Sequence, residues 1–79
     1  MTIPSVIHKE LDASGLNCPL PILRAKKALA DMQSGDILKI IATDSGASHD
    51  FPTFAKQTGN DLVASEQHGD AFIFYLKRR

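Results

Sequence analysis

The sequence predicts an α+β fold: a two-layer α/β sandwich in the order βαβαββ, with a four-stranded mixed sheet and two helices on one face. Three observations support this prediction. Two segments repeat apolar residues with helical spacing, four runs are rich in strand-forming residues, and the last two runs flank a hairpin signal at residues 68–70. Because each helix has a single apolar stripe, both must cover the same face of the sheet, and the other face is left to solvent.

Length and composition limit the function classes open to the chain. Its 79 residues suffice for one domain, spanning 1–79, that buries about 60% of the surface of the unfolded chain, so a deep enclosed active site is not expected. Nine Lys and Arg residues balance nine Asp and Glu residues, which removes the positive field that drives direct DNA binding. No stretch approaches the ~20 apolar residues of a membrane span, so we expect a cytoplasmic protein with no membrane partner.

The first half of the chain predicts a strand, a helix and a second strand. Residues 6–13 mix apolar and charged side chains in alternation and end at a turn-like Ser-Gly pair, which is typical of a strand. A helical stripe follows, and Gly35 stands where that helix is expected to stop. Residues 36–43 form a β-rich run long enough for a central strand. The helical stripe consists of Ile22, Ala25, Ala28, Leu29 and Met32.

The second half predicts a helix and a terminal hairpin. Asp50 or Ser48 can cap the helix, Pro52 fits its first turn, and Gly59 follows its end. Residues 62–67 and 71–77 are the hairpin strands. The alternation points Phe72, Phe74 and Leu76 toward the helices, and it leaves Ile73, Tyr75 and Ile41 as scattered exposed residues on the open face, an interpretation favoured over a docking or dimer patch.

The segment with the clearest chemical meaning surrounds Cys18, the only cysteine of the chain. Cys18 falls at the predicted N-terminus of the first helix, where backbone dipoles favour negative charge and lower the pKa of a thiol. We therefore expect an accessible, reactive thiol with a modestly depressed pKa. The alternative is a small apolar filler of the core, and the residues alone leave both interpretations open.

Pro19 and Pro21 are the predicted supports of this thiol. Each lacks an N–H, and the first helical turn is the one place where those donors have no intrahelical partner to lose. Both rings fix φ and restrict the residue that precedes them. The corner between loop and helix is therefore expected to be stiff and to hold Cys18 in one direction.

Other uses of the cysteine have less support. A zinc site needs three or four protein ligands, and His8, His49 and His68 stand at no ligand spacing around Cys18, so no metal is predicted. A single cysteine has no resolving partner for an intramolecular redox cycle. No histidine can be assigned as its base, which leaves a hydrolase-type Cys-His pair unsupported.

Residues 11–21, Leu-Asp-Ala-Ser-Gly-Leu-Asn-Cys-Pro-Leu-Pro, resemble the signature of the TusA/SirA-like sulfur-carrier family with its Cys-Pro-x-Pro motif. The likeness continues through residues 36–43, residues 50–54 and the terminal hairpin. The resemblance implies a sulfurtransferase that carries sulfur as a persulfide on Cys18. It implies no separate cofactor and no turnover as an independent enzyme.

The same resemblance implies partners. A cysteine desulfurase or a rhodanese-like donor loads such a carrier, and a downstream acceptor protein takes the sulfur onward, in tRNA thiolation, molybdenum-cofactor maturation or a related pathway. Members that serve 2-thiouridine synthesis typically carry an acidic residue where this chain has Leu20, and often a basic one where it has Asn17. These two departures leave the pathway open.

Four residues beside the thiol are candidates for partner docking. Leu20 and Leu23 lie off the core stripe, and with Lys26 and Lys27 they form a mixed apolar and basic surface. The alternative is an ordinary solvated helix face. The alternative function is a noncatalytic regulatory module, in which the proline-flanked loop binds a protein and Cys18 is incidental.

Overall fold

The computed structural model describes Pro4 and residues 6–79 of the chain. Its elements follow the predicted order βαβαββ, with two helices and a four-stranded sheet, so the predicted fold class is confirmed. No helix in this described part is long and apolar enough to cross a membrane. The elements are β1 (Lys9–Ala13), α1 (Leu20–Ala30), β2 (Ile37–Ala42), α2 (Ala47–Thr58), β3 (Asp61–His68) and β4 (Ala71–Lys77).

The sheet is mixed, with strand order β1-β2-β4-β3. β1 and β2 are parallel, whereas β4 is antiparallel to both of its neighbours. Because β1 and β2 run in the same direction, their carboxyl ends lie at one edge of the sheet. The chain leaves that edge twice, once toward α1 and once toward α2, so the two helices begin side by side.

The core lies between the helices and one face of the sheet. Phe51 of α2 is fully buried at its centre, and its ring stacks on Phe74 of β4 with centroids 4.8 Å apart. Pairing of Leu38 with Leu76, and of Ile40 with Phe74, sets the register of the buried face. The buried cluster includes Ala25, Leu29, Leu38, Ile40, Phe51, Phe54 and Phe74, and the partly buried Ile22 and Phe72 pack against it. The predicted apolar stripe of α1 and the predicted direction of Phe72 and Phe74 are therefore confirmed.

On the face of the sheet away from the helices, Tyr75 is more buried than predicted. Tyr75 lies on this face as predicted, but it is only 5% exposed, so the expectation of an exposed ring is wrong. Its hydroxyl donates a hydrogen bond to Glu66 Oε1 at 3.0 Å, and its partner across the β3–β4 ladder is the small Ala64. Ile41 and Ile73 are half-buried. The ring of Tyr75 therefore has room to lie against the sheet.

Two predicted boundaries in the first half of the chain are wrong. β1 starts at Lys9, not at residue 6. α1 ends at Ala30, well before Gly35, because the N–H of the C-cap residue Asp31 bonds back to Ala28 O at 3.2 Å.

The helix α2 starts earlier than predicted. Its N-cap is Gly46, which places Ser48 and Asp50 within its first turn and Pro52 inside the helix. The reason is a turn at Asp44, whose side chain accepts the Gly46 N–H at 3.1 Å and whose carbonyl accepts the Ala47 N–H at 3.0 Å. This turn does the capping that was expected of Ser48 or Asp50.

Candidate functional site

The candidate site is built from the two loops that leave one edge of the sheet. Residues 14–19, here called the Cys18 loop, connect β1 to α1, and residues 43–46, the Asp44 loop, connect β2 to α2. The backbone N–H of Gly15 donates to Thr43 Oγ1 at 2.8 Å and so joins the two loops. Gly15 has φ +79°, in the left-handed region that side chains disfavour, so glycine suits this turn.

Cys18 is exposed in the turn that leads into α1, as predicted, which excludes the interpretation as a core filler. Pro19 is the N-cap residue of α1, and Pro21 lies buried in its first turn. The Leu20 N–H donates to Asn17 O at 2.8 Å, and the Leu23 N–H makes the first helical hydrogen bond, to Pro19 O at 3.1 Å. Neither proline is at a position that needs an N–H donor.

The electrostatics of Cys18 differ from the prediction. The pKa of the Cys18 thiol is raised, chiefly because the Asp50 carboxylate accepts its hydrogen bond, and further by desolvation and by the charges of Asp50 and Asp44. The expected depression of this pKa is therefore wrong. The prediction included only the dipole of α1, whereas the carboxylates of Asp44 and Asp50, from the neighbouring loop and helix, also act on the sulfur.

These two carboxylates converge on Gly46. A Cβ atom built on Gly46 would lie 3.0 Å from Asp44 Oδ2 and 3.3 Å from Asp50 Oδ2. Asp50 is half-buried in the first turn of α2, where the helix dipole favours a negative charge. The sequence pointed to Asp50 only as a possible cap. Its place beside Cys18 depends on the parallel pairing of β1 with β2, which the order of elements alone does not reveal.

The proposed docking residues all lie on α1. Leu20 is 44% exposed and Leu23 is 53% exposed, and Lys26 and Lys27 are also exposed. Leu20, Leu23 and Lys27 share one helix face by their spacing. Lys26 turns toward a groove of about 470 Å³, which Arg78 also lines. The two leucines thus lie exposed in the first turn of α1, directly after the Cys18 loop, and of the two lysines Lys26 lines the groove whereas Lys27 does not.

His8 and His68 have their partners elsewhere in the fold, whereas His49 lies in the first turn of α2, directly before Asp50. His8 Nδ1 accepts the Ile37 N–H at 2.9 Å, and His68 contacts Glu66 at 3.3 Å. Within Pro4 and residues 6–79, no group of three or more His, Cys, Asp or Glu side chains is placed to hold a metal ion.

A family model, a sequence relative and a solved structure all relate this chain to TusA and SirA-like proteins. The family model described as "Sulfurtransferase TusA" matches residues 9–78. The chain is 61% identical over 70 residues to the sulfur carrier protein TusA of Allochromatium vinosum, and the match covers 89% of this chain and 92% of that protein. The crystal structure of a SirA-like protein from Desulfitobacterium hafniense has the same fold, with a TM-score of 0.76 at 24% identity over 87% of this chain and 95% of that one.

Proposed function

Because the chain belongs to the TusA family of sulfurtransferases, we propose that it is a sulfur carrier that holds one transferable sulfur atom as a persulfide on Cys18. The observation that supports this proposal most strongly is the exposure of the single thiol at the start of α1. A partner's sulfur can reach it without any opening of the fold. Pro19 and Pro21 support the thiol by holding the loop-to-helix corner in place.

The proposed chemistry is a sulfur exchange without net oxidation. The Cys18 thiolate attacks the outer sulfur of a donor persulfide, so a new sulfur–sulfur bond forms on Cys18 and the donor's sulfur–sulfur bond breaks. The donor departs as a thiolate and takes up the proton that Cys18 lost. An acceptor thiolate later attacks the outer sulfur in the same way, and Cys18 is regenerated.

A raised thiol pKa is compatible with this role. At neutral pH it leaves a smaller fraction of Cys18 as thiolate. The intrinsic nucleophilicity of a thiolate rises with its pKa, however, which offsets part of that loss. The carrier therefore depends on a high local concentration of donor sulfur, which a docked partner provides.

The partners we propose follow from the surface next to Cys18. Exposed Leu20 and Leu23 supply apolar contact area, Lys27 supplies positive charge on the same helix face, and Lys26 adds positive charge from the adjoining groove, so the surface fits a partner with an apolar centre and an acidic rim. A cysteine desulfurase or a rhodanese-like protein is the proposed donor, and a downstream protein the proposed acceptor. A free thiol suits the reducing cytoplasm, where tRNA thiolation and molybdenum-cofactor maturation are the candidate pathways.

The test is to offer the purified chain sulfur from each proposed donor class. One reaction contains a cysteine desulfurase with free cysteine, and the other a rhodanese with thiosulfate. Intact mass should increase by one sulfur atom in at least one reaction, and dithiothreitol should remove it. No gain in either reaction, with both donors shown to be active on a small thiol, would contradict the proposed function.

A further inference from the structure

A groove of about 470 Å³, here called the helix-end groove, lies between the second halves of α1 and α2 and the residues that follow β4. It is remote from Cys18, because α1 rises about 1.5 Å per residue and Leu29 lies roughly 13 Å along its axis from the first residue of the helix. Of the docking residues proposed above, it includes only Lys26. Its apolar part is formed by Leu29, Ala30 and Phe54, and its basic part by Lys26, Arg78 and Arg79.

The two arginines of the helix-end groove are held against the fold. Arg78 Nε donates to Leu29 O at 2.8 Å. The backbone N–H of Arg79 donates to Asn60 Oδ1 at 2.9 Å. The side chain of Arg79 packs close to Gly59, where a Cβ atom would lie 3.3 Å from Arg79 Cδ and 3.6 Å from Arg79 Nη1. Gly59 is the left-handed C-cap of α2, so the turn that ends this helix also leaves room for the guanidinium.

The positive charge of this groove is not neutralised by side chains of the described residues. No acidic residue is among those that line the groove in this part of the chain, and its three cations form no ion pair there. The acidic residues nearest in sequence have neighbours of their own: Lys9 for Asp31, His8 for Asp36 and, across the β3–β4 ladder, Lys77 for Asp61. The groove therefore presents its charge to solvent.

The helix ends reduce this positive charge without cancelling it. The C-termini of α1 and α2 each carry about half a negative charge. Three cationic side chains against roughly one negative charge leave about two positive charges at the groove. A phosphate group carries about 1.5 to 2 negative charges at neutral pH, and its oxygens accept the forked N–H groups of arginine. A phosphate dianion thus matches the groove better than a single carboxylate does.

We propose that the helix-end groove binds a phosphate group, either as inorganic phosphate or as part of a small organic molecule. Lys26, Arg78 and Arg79 hold the anion, and the apolar part of the groove accepts the remainder of an organic ligand. The volume of about 470 Å³ falls within the range of about 300–1,000 Å³ that is usual for small-molecule sites. Nucleic acid fits less well, because nine basic residues balance nine acidic ones and provide no continuous positive track.

The test follows backbone amide NMR signals of the full chain during titration at constant ionic strength. The probes are inorganic phosphate, adenosine monophosphate and adenosine. Both phosphates should shift the signals of Gln57, Asn60 and Arg79 in a saturable way, and adenosine should not. Tighter binding of adenosine monophosphate would assign the site to an organic phosphate, and equal binding of the two would assign it to inorganic phosphate.

Substitutions test whether the named cations hold the anion. Arg79→Gln removes one charge and keeps the backbone bond to Asn60, so the affinity for phosphate should fall about threefold to fivefold. Arg79→Lys keeps the charge and should lose less. The matched control is Arg24→Gln, which removes an exposed charge from α1 outside the groove and should leave the affinity unchanged. Should Arg79→Gln fail to fold, Lys26→Gln provides the same comparison with Arg24→Gln.

The absence of a saturable shift with both phosphate probes would overturn the proposal. Equal losses of affinity in Arg79→Gln and Arg24→Gln would also overturn it, because they would indicate a diffuse response to charge. A glutamate dipeptide is the rival probe. If it bound at the same amides more tightly than both phosphates, the groove would be a docking site for an acidic protein segment instead. No probe carries transferable sulfur, so the result is independent of the test for a persulfide on Cys18.

Discussion

The backbone N–H of Gly15 donates to Thr43 Oγ1 across 2.8 Å, so the loop that carries Cys18 is attached to the end of β2. Thr43→Val keeps the branched shape of the side chain and removes the acceptor. Because the exposed Gly15 N–H can bond to water instead, we expect a loss of about 0.5–1 kcal/mol in the free energy of unfolding, measured with urea. Thr53→Val, which removes a bond to His49 O within α2, is the control for a local loss. Equal stability of Thr43→Val and wild type would contradict this connection.

Phe51 should be the most sensitive position of the core. It is fully buried, stacks on Phe74 and meets Phe54 edge to face at 6.4 Å. Phe51→Ala should cost about 3–5 kcal/mol, enough to unfold much of a domain of ordinary stability, and Phe51→Leu should cost less. The control Leu23→Ala removes an exposed apolar side chain and should stay within about 0.5 kcal/mol of wild type in the same urea titration. A similar loss in both alanine variants would contradict the assigned core.

Leu23 should affect partner binding more than folding. Leu23→Glu removes apolar area beside Cys18 and adds a charge that opposes an acidic partner, so loading by the donor should require a higher donor concentration while the Tm stays nearly constant. Val6→Glu is the matched control, because Val6 is 60% exposed and precedes the opposite end of β1. If both variants loaded at the wild-type rate, α1 would not be the docking surface.

Tyr75 should make stability sensitive to alkaline pH. Its pKa is raised, first by burial and then by the hydrogen bond to Glu66, so the folded chain holds this proton more tightly than the unfolded chain does. Its contribution is complete below about pH 10, the ordinary tyrosine pKa, and is lost as the pH rises through the raised value. The difference in unfolding free energy between wild type and Tyr75→Phe should therefore shrink above about pH 10. A difference that is constant with pH would contradict this assignment.

The sequence predicts the structure best where the two-residue alternation of a strand decides which side chains face the helices. Alternation along β4 is enough to point Phe72 and Phe74 toward the helices, because a shift of one residue would expose both rings. The burial of Tyr75 is harder to predict, since it depends on Glu66 and Ala64 in another strand, whose register shifts between Leu62 and Ala64.

The site likewise combines features that local sequence predicts with one that depends on the arrangement of the strands. The exposure of Cys18 and the places of the two prolines follow from local rules for helix starts. The partnership with Asp50 requires the order of strands in the sheet, because only parallel neighbours bring the starts of both helices to one edge. For that reason the sequence predicts the thiol but not the sign of its pKa shift.

The most direct test of the central claim compares wild type with Cys18→Ser after incubation with a cysteine desulfurase and free cysteine. The exposed position and the similar size of serine predict a nearly unchanged Tm, whereas a hydroxyl cannot form a stable persulfide. Wild type should gain one sulfur atom in its intact mass and the variant none. A sulfur atom gained by Cys18→Ser would contradict the assignment of Cys18 as the carrier.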